Sequence, residues 1–388
     1  MNLVERTEGL VRFLAPPVTS TRGPISSSSI FYNPAMAPNR DVTICVLERL
    51  STTEWKDRPG TTLLGDVMAA TGVRGIRMAV ELGIRPRVVI NEANPEAVDV
   101  IIQNLRLNDI DVDEDPRVEV TNTDCRKIMT EKLFDFIDLD PYGSPAPFLD
   151  PLVQGAGQDR YIVGVTATDT AVLCGAKIKA CVKRYDARPM RCPYMAEVAL
   201  RILIGAIVRR AASVEKAFIP FLCNASDHYV RVYGRLERDG DREALLAMMG
   251  HITYDRSTVT TTVLPGLDHK IKVMPPVSTA GPLWLGPLFD KDFVDGLVPM
   301  PHMASNKALE RTMTLWREEA RAPPFYYTVD SLGSHFKGSP PRIEELIAAF
   351  RERGRVATRT HITPIGFRTD APHDEVLELF KAMMPPSR

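Results

Sequence analysis

Between residues 61 and 169, short apolar runs alternate with segments of helical periodicity, and the first runs each end on an acid. Thr62-Leu63-Leu64-Gly65-Asp66 is followed by the small-residue turn Ala69-Ala70-Thr71-Gly72-Val73-Arg74-Gly75, which runs into a helix. Arg87-Val88-Val89-Ile90-Asn91-Glu92 precedes a helix over 95–107, and Val118-Glu119-Val120-Thr121 leads to Asp124-Cys125. A fourth run, Phe134-Asp135-Phe136-Ile137-Asp138-Leu139, stops at Asp140-Pro141-Tyr142-Gly143, where proline and glycine break it. Tyr161-Ile162-Val163-Gly164-Val165-Thr166-Ala167-Thr168-Asp169 is a fifth. Alternation of this kind predicts a doubly wound, mostly parallel sheet. An amphipathic helix over 193–212 and an apolar pair, 217–222 and 228–234, read as closing that sheet with a hairpin.

Upstream, 3–5 and 10–14 read as paired strands. A Ser/Thr/Pro segment ending in Ser26-Ser27-Ser28-Ser29 follows, expected to be mobile unless something orders it. Phe31-Tyr32-Asn33-Pro34 then leads into a helix over 40–50, with two aromatics placed to cover a site. Downstream, the charged stretch 237–243 marks a boundary between domains 1–236 and 237–388. Beyond it lie short strands, proline-rich loops and arginine-bearing helices over 307–322 and 340–353. Arg351, Arg353, Arg355, Arg359 and Arg368 make this end locally basic, which suits phosphate contact by Arg355 and Arg359.

Composition narrows the class. At 388 residues, 44% hydrophobic and 25% charged, the chain can bury a large core. No apolar run is long enough to span a membrane, and the N-terminus lacks the apolar stretch of a signal peptide. Six scattered cysteines without a Cys-x-x-Cys pair predict reduced thiols, a cytoplasmic location and no metal site. A net charge of −1 means that any RNA-binding surface must come from local segregation of charge. Nothing here sets the oligomeric state; a monomer is the working expectation.

The acids at the strand ends suggest the chemistry. The carboxyl ends of strands in an open α/β sheet are where ligands bind. Gly-x-Gly-x-x-Gly is absent, which disfavours a nicotinamide oxidoreductase. Glu92, about twenty residues beyond the small-residue turn, is placed to accept hydrogen bonds from a ribose diol. The fourth strand end brings together a carboxylate, a backbone carbonyl and an aromatic ring.

The motifs are more specific than the layout. Phe-Tyr-Asn-Pro-Ala-Met (31–36) with Asn-Arg-Asp (39–41), Ala-Thr-Gly-Val-Arg-Gly (70–75), Asp-Leu-Asp-Pro-Tyr-Gly-Ser-Pro (138–145) and Gly-Val-Thr-Ala-Thr-Asp (164–169) resemble the tRNA guanine-26 N2-dimethyltransferases of archaeal type. So do Leu-Cys-Gly-Ala (173–176), Gly-Pro-Leu-Trp-Leu-Gly-Pro (281–287) and Ala-Thr-Arg-Thr-His (357–361). The resemblance spans nearly the whole chain. It departs at Glu92, where many relatives carry Asp.

This resemblance implies a class I methyltransferase fold, S-adenosyl-L-methionine as methyl donor, tRNA as substrate and a C-terminal α+β RNA-binding domain. It implies that Arg40 and Arg74 reach the methionine end of the cofactor, Glu92 the ribose, and Asp124 with Cys125 the adenine. Asp140, Pro141 and Tyr142 would form the target-base pocket. From the residues themselves, Phe31 reads as a lid, and Asp138, on the same face as Asp140, as either a supporting acid or a structural acid of the strand end. Two other readings stay open: a methyltransferase of this fold acting on another exocyclic amine (adenine N6 or a ribosomal guanine), and a non-catalytic RNA-binding protein that has kept the fold.

Overall fold

The computed structural model describes residues 2–17, 30–226, 228–267, 271, 273–303 and 305–385. The serine-rich stretch expected to be mobile lies outside the described residues, apart from its flanks. In chain order the first half runs β1 (Val4–Glu8), β2 (Val11–Ala15), α1 (Ala37–Ser51), β3 (Leu63–Asp66), α2 (Val73–Glu81), β4 (Arg87–Asn91), α3 (Pro95–Arg106), β5 (Val118–Thr121) and α4 (Cys125–Glu131). It continues with β6 (Phe136–Leu139), α5 (Leu149–Gln154), β7 (Arg160–Ala167), α6 (Thr170–Leu173), α7 (Ile178–Tyr185), α8 (Met195–Ser213), β8 (Ala217–Ala225) and β9 (Val230–Glu237).

One seven-stranded sheet has the order β5-β4-β3-β6-β7-β9-β8. The first five strands are parallel, and β9 and β8 add an antiparallel hairpin at one edge. The chain winds outward from β3 to β5, then returns to β6 on the other side of β3. That reversal opens a crevice beyond the carboxyl ends of β3 and β6. The strands are short and apolar on both faces because helices cover both; Phe136, Ile137 and Leu139 are essentially inaccessible.

Helix α1 starts three residues before the expected 40–50. A single 3-10 turn at Pro34–Met36 leads into it, capped by the Asn33 side chain, which accepts from the Ala35 N–H at 3.0 Å. The β1–β2 hairpin lies on α3 and the turn after it: Asn104 Oδ1 of α3 accepts from the Leu14 N–H at 2.6 Å, and Asn108 Oδ1, just past the helix, from the Arg12 N–H at 3.0 Å.

The second half contains α9 (Arg242–Ala247), β10 (Met249–Asp255), β11 (Thr260–Pro265), β12 (Val277–Trp284), α10 (Lys291–Asp295), α11 (Lys307–Glu319), β13 (Tyr327–Thr328), α12 (Val329–Phe336), α13 (Ile343–Glu352), β14 (Ala357–Arg359), β15 (Gly366–Thr369) and α14 (His373–Ala382). Two three-stranded antiparallel sheets organise it, β11-β10-β12 and β13-β15-β14. The expected boundary at 236/237 falls at the last residue of β9.

A buried ionic bridge joins the halves. Arg368 of β15 binds Glu197 of α8 at 3.0 Å and Glu319 of α11 at 2.9 Å. The Glu319 carboxyl is also held by His361 at 2.6 Å. Burial opposes its charge, but His361 and Arg368 outweigh that and hold it down to about 2. Among the described residues no helix is long and apolar enough to cross a membrane.

Candidate active site

The crevice at the β3–β6 reversal is a cleft of about 380 Å³. That is large enough for a cofactor-sized ligand. Asp66 lies at its floor, Met68 to Val73 form one wall, Asp140 to Gly143 form the other, and Phe31 with Tyr142 stands at the mouth.

The first wall is a tight turn. Ala70 and Gly72 take left-handed backbone angles, with φ of 50° and 77°, so that the chain can reverse from β3 into α2. Gly72 then caps α2, and Arg74 follows at its second position. The turn therefore aims a helix N-terminus and a guanidinium into the cleft together. Asp66 accepts the Gly75 N–H at 2.9 Å and ties strand to helix. Burial, with the neighbouring Asp138 carboxylate, pushes its carboxyl up to about 7.

The second wall begins where β6 ends. Asp138 and Asp140 lie two residues apart and both turn to Arg74. Arg74 Nε stands 3.2 Å from Asp138 Oδ1, and Nη2 donates to Asp140 Oδ2. The remaining guanidinium edge is taken by Thr43 Oγ1 at 2.6 Å and Asn39 Oδ1 at 2.9 Å, both from α1. Below it, Arg231 of β9 donates to Asp138 Oδ2 and, at 2.6 Å, to Thr166 Oγ1. Gly164 makes room for this arginine, since a methyl group there would overlap Nη2. Two arginines thus offset two carboxylates in a site almost closed to water, with each charge paired.

Two acceptors remain unspent at the lip of the cleft. Among the described residues no hydrogen bond reaches Asp140 Oδ1 or the Pro141 carbonyl. Tyr142 is 70% exposed, and its ring meets Phe31 at 5.4 Å between centroids, tilted 59°. Across the cleft Thr168 fixes the turn, accepting the Gly143 N–H on Oγ1 at 2.7 Å and donating its own N–H to the Gly143 carbonyl at 2.9 Å.

The residues expected from the sequence fall into three groups. Phe31, Arg40, Arg74, Asp140, Pro141 and Tyr142 meet in the cleft, and Asp138 lies beneath it. Arg40 comes with its own counter-ion, however. Glu8 of β1 takes Nε and Nη2 in a fork, each at 2.6 Å.

Glu92, Asp124 and Cys125 lie off the cleft lining, at the ends of β4 and β5. Glu92 braces the turn, accepting the Ala70 N–H at 2.7 Å and the Asn94 N–H at 3.0 Å. Asp124 caps α4 through the Arg126 N–H at 2.8 Å, and the Arg126 side chain holds its carboxyl near 2. Burial pushes the Cys125 thiol up to about 12.

Arg355 and Arg359 lie outside the cleft lining, each in an ion pair. Arg355 is paired with Glu375 at 2.6 Å, and Arg359 is paired with Glu344 and also donates to the Pro364 carbonyl at 2.6 Å. Arg368 is buried in the bridge between the halves. Acids brought in from elsewhere pair with these arginines at the surface, which lowers the positive field along this stretch.

Sequence reasoning missed Thr43, Asn39, Glu8 and Arg231, which support the site from other elements. Asn39 stands in the Asn-Arg-Asp motif beside Arg40, and Thr43 one helical turn further on, so the α1 pair carried a local signal; Glu8 and Arg231 had none, because each is far in the chain from every motif of the cleft.

Comparison with known proteins agrees with this architecture. The family model for N2,N2-dimethylguanosine tRNA methyltransferases matches residues 9–381. The tRNA (guanine(26)-N(2))-dimethyltransferase of Pyrococcus horikoshii is 35% identical, over 98% of this chain and 99% of its own. That of Methanoregula boonei is also 35% identical, over 96% of each chain. The solved complex of Pyrococcus horikoshii Trm1 with S-adenosyl-L-methionine superposes with a TM-score of 0.82 at 32% identity, covering 97% of this chain and 99% of that one. Fold, cleft and relatives together place this chain in the N2,N2-dimethylguanosine tRNA methyltransferase family.

Proposed function

We propose that this protein transfers one or two methyl groups from S-adenosyl-L-methionine to the exocyclic N2 of guanine 26 in tRNA. The single observation that carries the chemistry is the pair of free acceptors beyond β6, Asp140 Oδ1 and the Pro141 carbonyl.

The cleft suits that cofactor. It combines apolar lining, a helix N-terminus that would favour a carboxylate, and the carboxyl of buried Asp66, which would favour a cation. Arg40 and Arg74 border the same space, with Glu92, Asp124 and Cys125 at the neighbouring strand ends for the adenosine half. The bound cofactor supplies an electrophilic methyl group on a sulfonium.

The protein must make a poor nucleophile attack it. The lone pair of a guanine amino group is delocalised into the ring. Two acceptors at the strand end take its two N–H bonds and draw the nitrogen toward a pyramidal geometry, which frees that lone pair. Arg74 holds Asp140 by its other oxygen, so Oδ1 is aimed without being consumed. Asp140 is placed to accept the proton released on transfer. Tyr142 and Phe31 offer aromatic faces to a base that has left its stack. After one methylation a single N–H remains, enough for Asp140 to orient the second transfer. A tRNA substrate suits a cytoplasmic enzyme.

Incubating the protein with labelled S-adenosyl-L-methionine and unmodified tRNA, followed by nucleoside mass spectrometry, tests this reading. N2-methylguanosine and N2,N2-dimethylguanosine at position 26 are expected. N6-methyladenosine alone would overturn it.

A further inference from the structure

The C-terminal arginines are ion-paired, and a second basic segment is tied to the lip of the cleft. Residues 177–191 carry six cations, Lys177, Lys179, Lys183, Arg184, Arg188 and Arg191, against one carboxylate, Asp186. This is a local charge of +5 in a chain whose net charge is −1. All six cations are exposed. Arg184 is paired with Asp169 at 2.9 Å. Among the described residues no carboxylate forms an ion pair with the other five.

The segment is fixed to the lip of the cleft. Tyr185, at the end of α7, donates to Asp169 at 2.7 Å and shares a hydrogen bond with Ser144 at 2.8 Å. Asp169 sits between Thr168 and Thr170, which line the cleft, and Ser144 follows the Asp-Pro-Tyr-Gly turn. Arg209 of α8 donates to the Tyr185 carbonyl at 2.7 Å, and Arg188 exchanges backbone hydrogen bonds with Gly281 at 2.8 and 2.9 Å. The cations therefore stand on a braced ledge. Lys179 and Lys183 are one helical turn apart, a like-charge spacing that destabilises an isolated helix. Exposed apolar Ile178 and Val182 lie among them. An unneutralised, rigid, cationic ledge beside a base pocket is complementary to a nucleic-acid backbone.

We infer that the ledge 177–191 is the surface on which the tRNA phosphates next to the extruded guanine dock. This rests on the proposed methyl transfer to tRNA and goes beyond it by naming the surface. Backbone contacts there carry no base information; they set the register in which one nucleotide reaches Asp140.

The test is the triple variant Lys177→Ala/Lys179→Ala/Lys183→Ala in the full chain, with Arg355→Ala/Arg359→Ala beside it. For the lysine variant, the Kd for an unmodified tRNA transcript is expected to rise about tenfold or more. The slope of log affinity against log salt should shrink by roughly 0.7–0.9 for each phosphate that is no longer neutralised. The KM for tRNA should rise with kcat at saturation near wild type, and S-adenosyl-L-methionine affinity and the unfolding midpoint should be unchanged. The arginine variant should keep the wild-type slope. An unchanged slope and KM in the lysine variant would overturn the inference, as would a loss of slope confined to the arginine variant. In either case methylation of tRNA by the wild-type protein would leave the proposed function standing. Failure of the wild type to methylate tRNA at guanine N2 would remove that function instead, and a wild type that bound no tRNA would remove both.

Discussion

Arg74 grips Asp140 by one carboxylate oxygen and leaves the other facing the cleft. The same guanidinium reaches Asp138, one pleat back on β6. One cation thereby sets the orientation of the acid that ends the strand.

Asp140→Asn keeps the shape of that end but weakens its acceptor and removes the proton sink. A positioned acid or base is worth roughly 10²–10⁴-fold in rate. We expect kcat for tRNA methylation to fall within that range, with S-adenosyl-L-methionine affinity changed less than threefold in equilibrium binding. Full activity would take Asp140 out of the mechanism.

Arg74→Met leaves Asp138 and Asp140 facing each other with one arginine fewer. Breaking a buried ion pair on one side costs about 3–5 kcal/mol. Urea denaturation should show a loss of that order, together with loss of methylation. Arg74→Lys should recover part of the stability but little of the activity, because an ammonium cannot reproduce the planar fork.

Gly164→Ala tests Arg231 without touching a charge. The added methyl overlaps Arg231 Nη2, so the arginine must move off Asp138 or Thr166. Overpacking of this kind costs about 1–3 kcal/mol. A lowered melting temperature and a lowered kcat with nearly unchanged tRNA affinity are expected. Wild-type kcat would show that Arg231 does not position the site.

Asp66 predicts a pH effect on stability. Its carboxyl stands near 7 in the folded protein, against an ordinary value of 3.8. Between those values the folded protein keeps a proton that the unfolded chain has released. Stability contributed by this group therefore falls as pH rises through that window and is level above it. In urea titrations from pH 5 to 8, the stability of wild type relative to Asp66→Asn should fall with rising pH as far as about pH 7 and then flatten. A constant difference across that range would place the Asp66 carboxyl outside it.

The strand–helix alternation, the break at Asp140-Pro141 and the small-residue turn before α2 were legible in the chain alone. Each depends on neighbours within a few residues: short continuous apolar runs, proline ending a strand, glycine permitting a left-handed angle. The family motifs lie in the same local segments, so the chemistry was legible as well. Charge pairing was not, because an ion pair depends on separation in space, and beyond one helical turn sequence spacing says nothing about that. Only the folded chain brings Glu8 to Arg40, Arg231 to Asp138, and Glu344 and Glu375 to the C-terminal arginines. Among the described residues, the same folding leaves the lysines of 177–183 without an ion-paired acid. Tertiary structure, rather than the run of basic letters, decided which cations meet a partner acid.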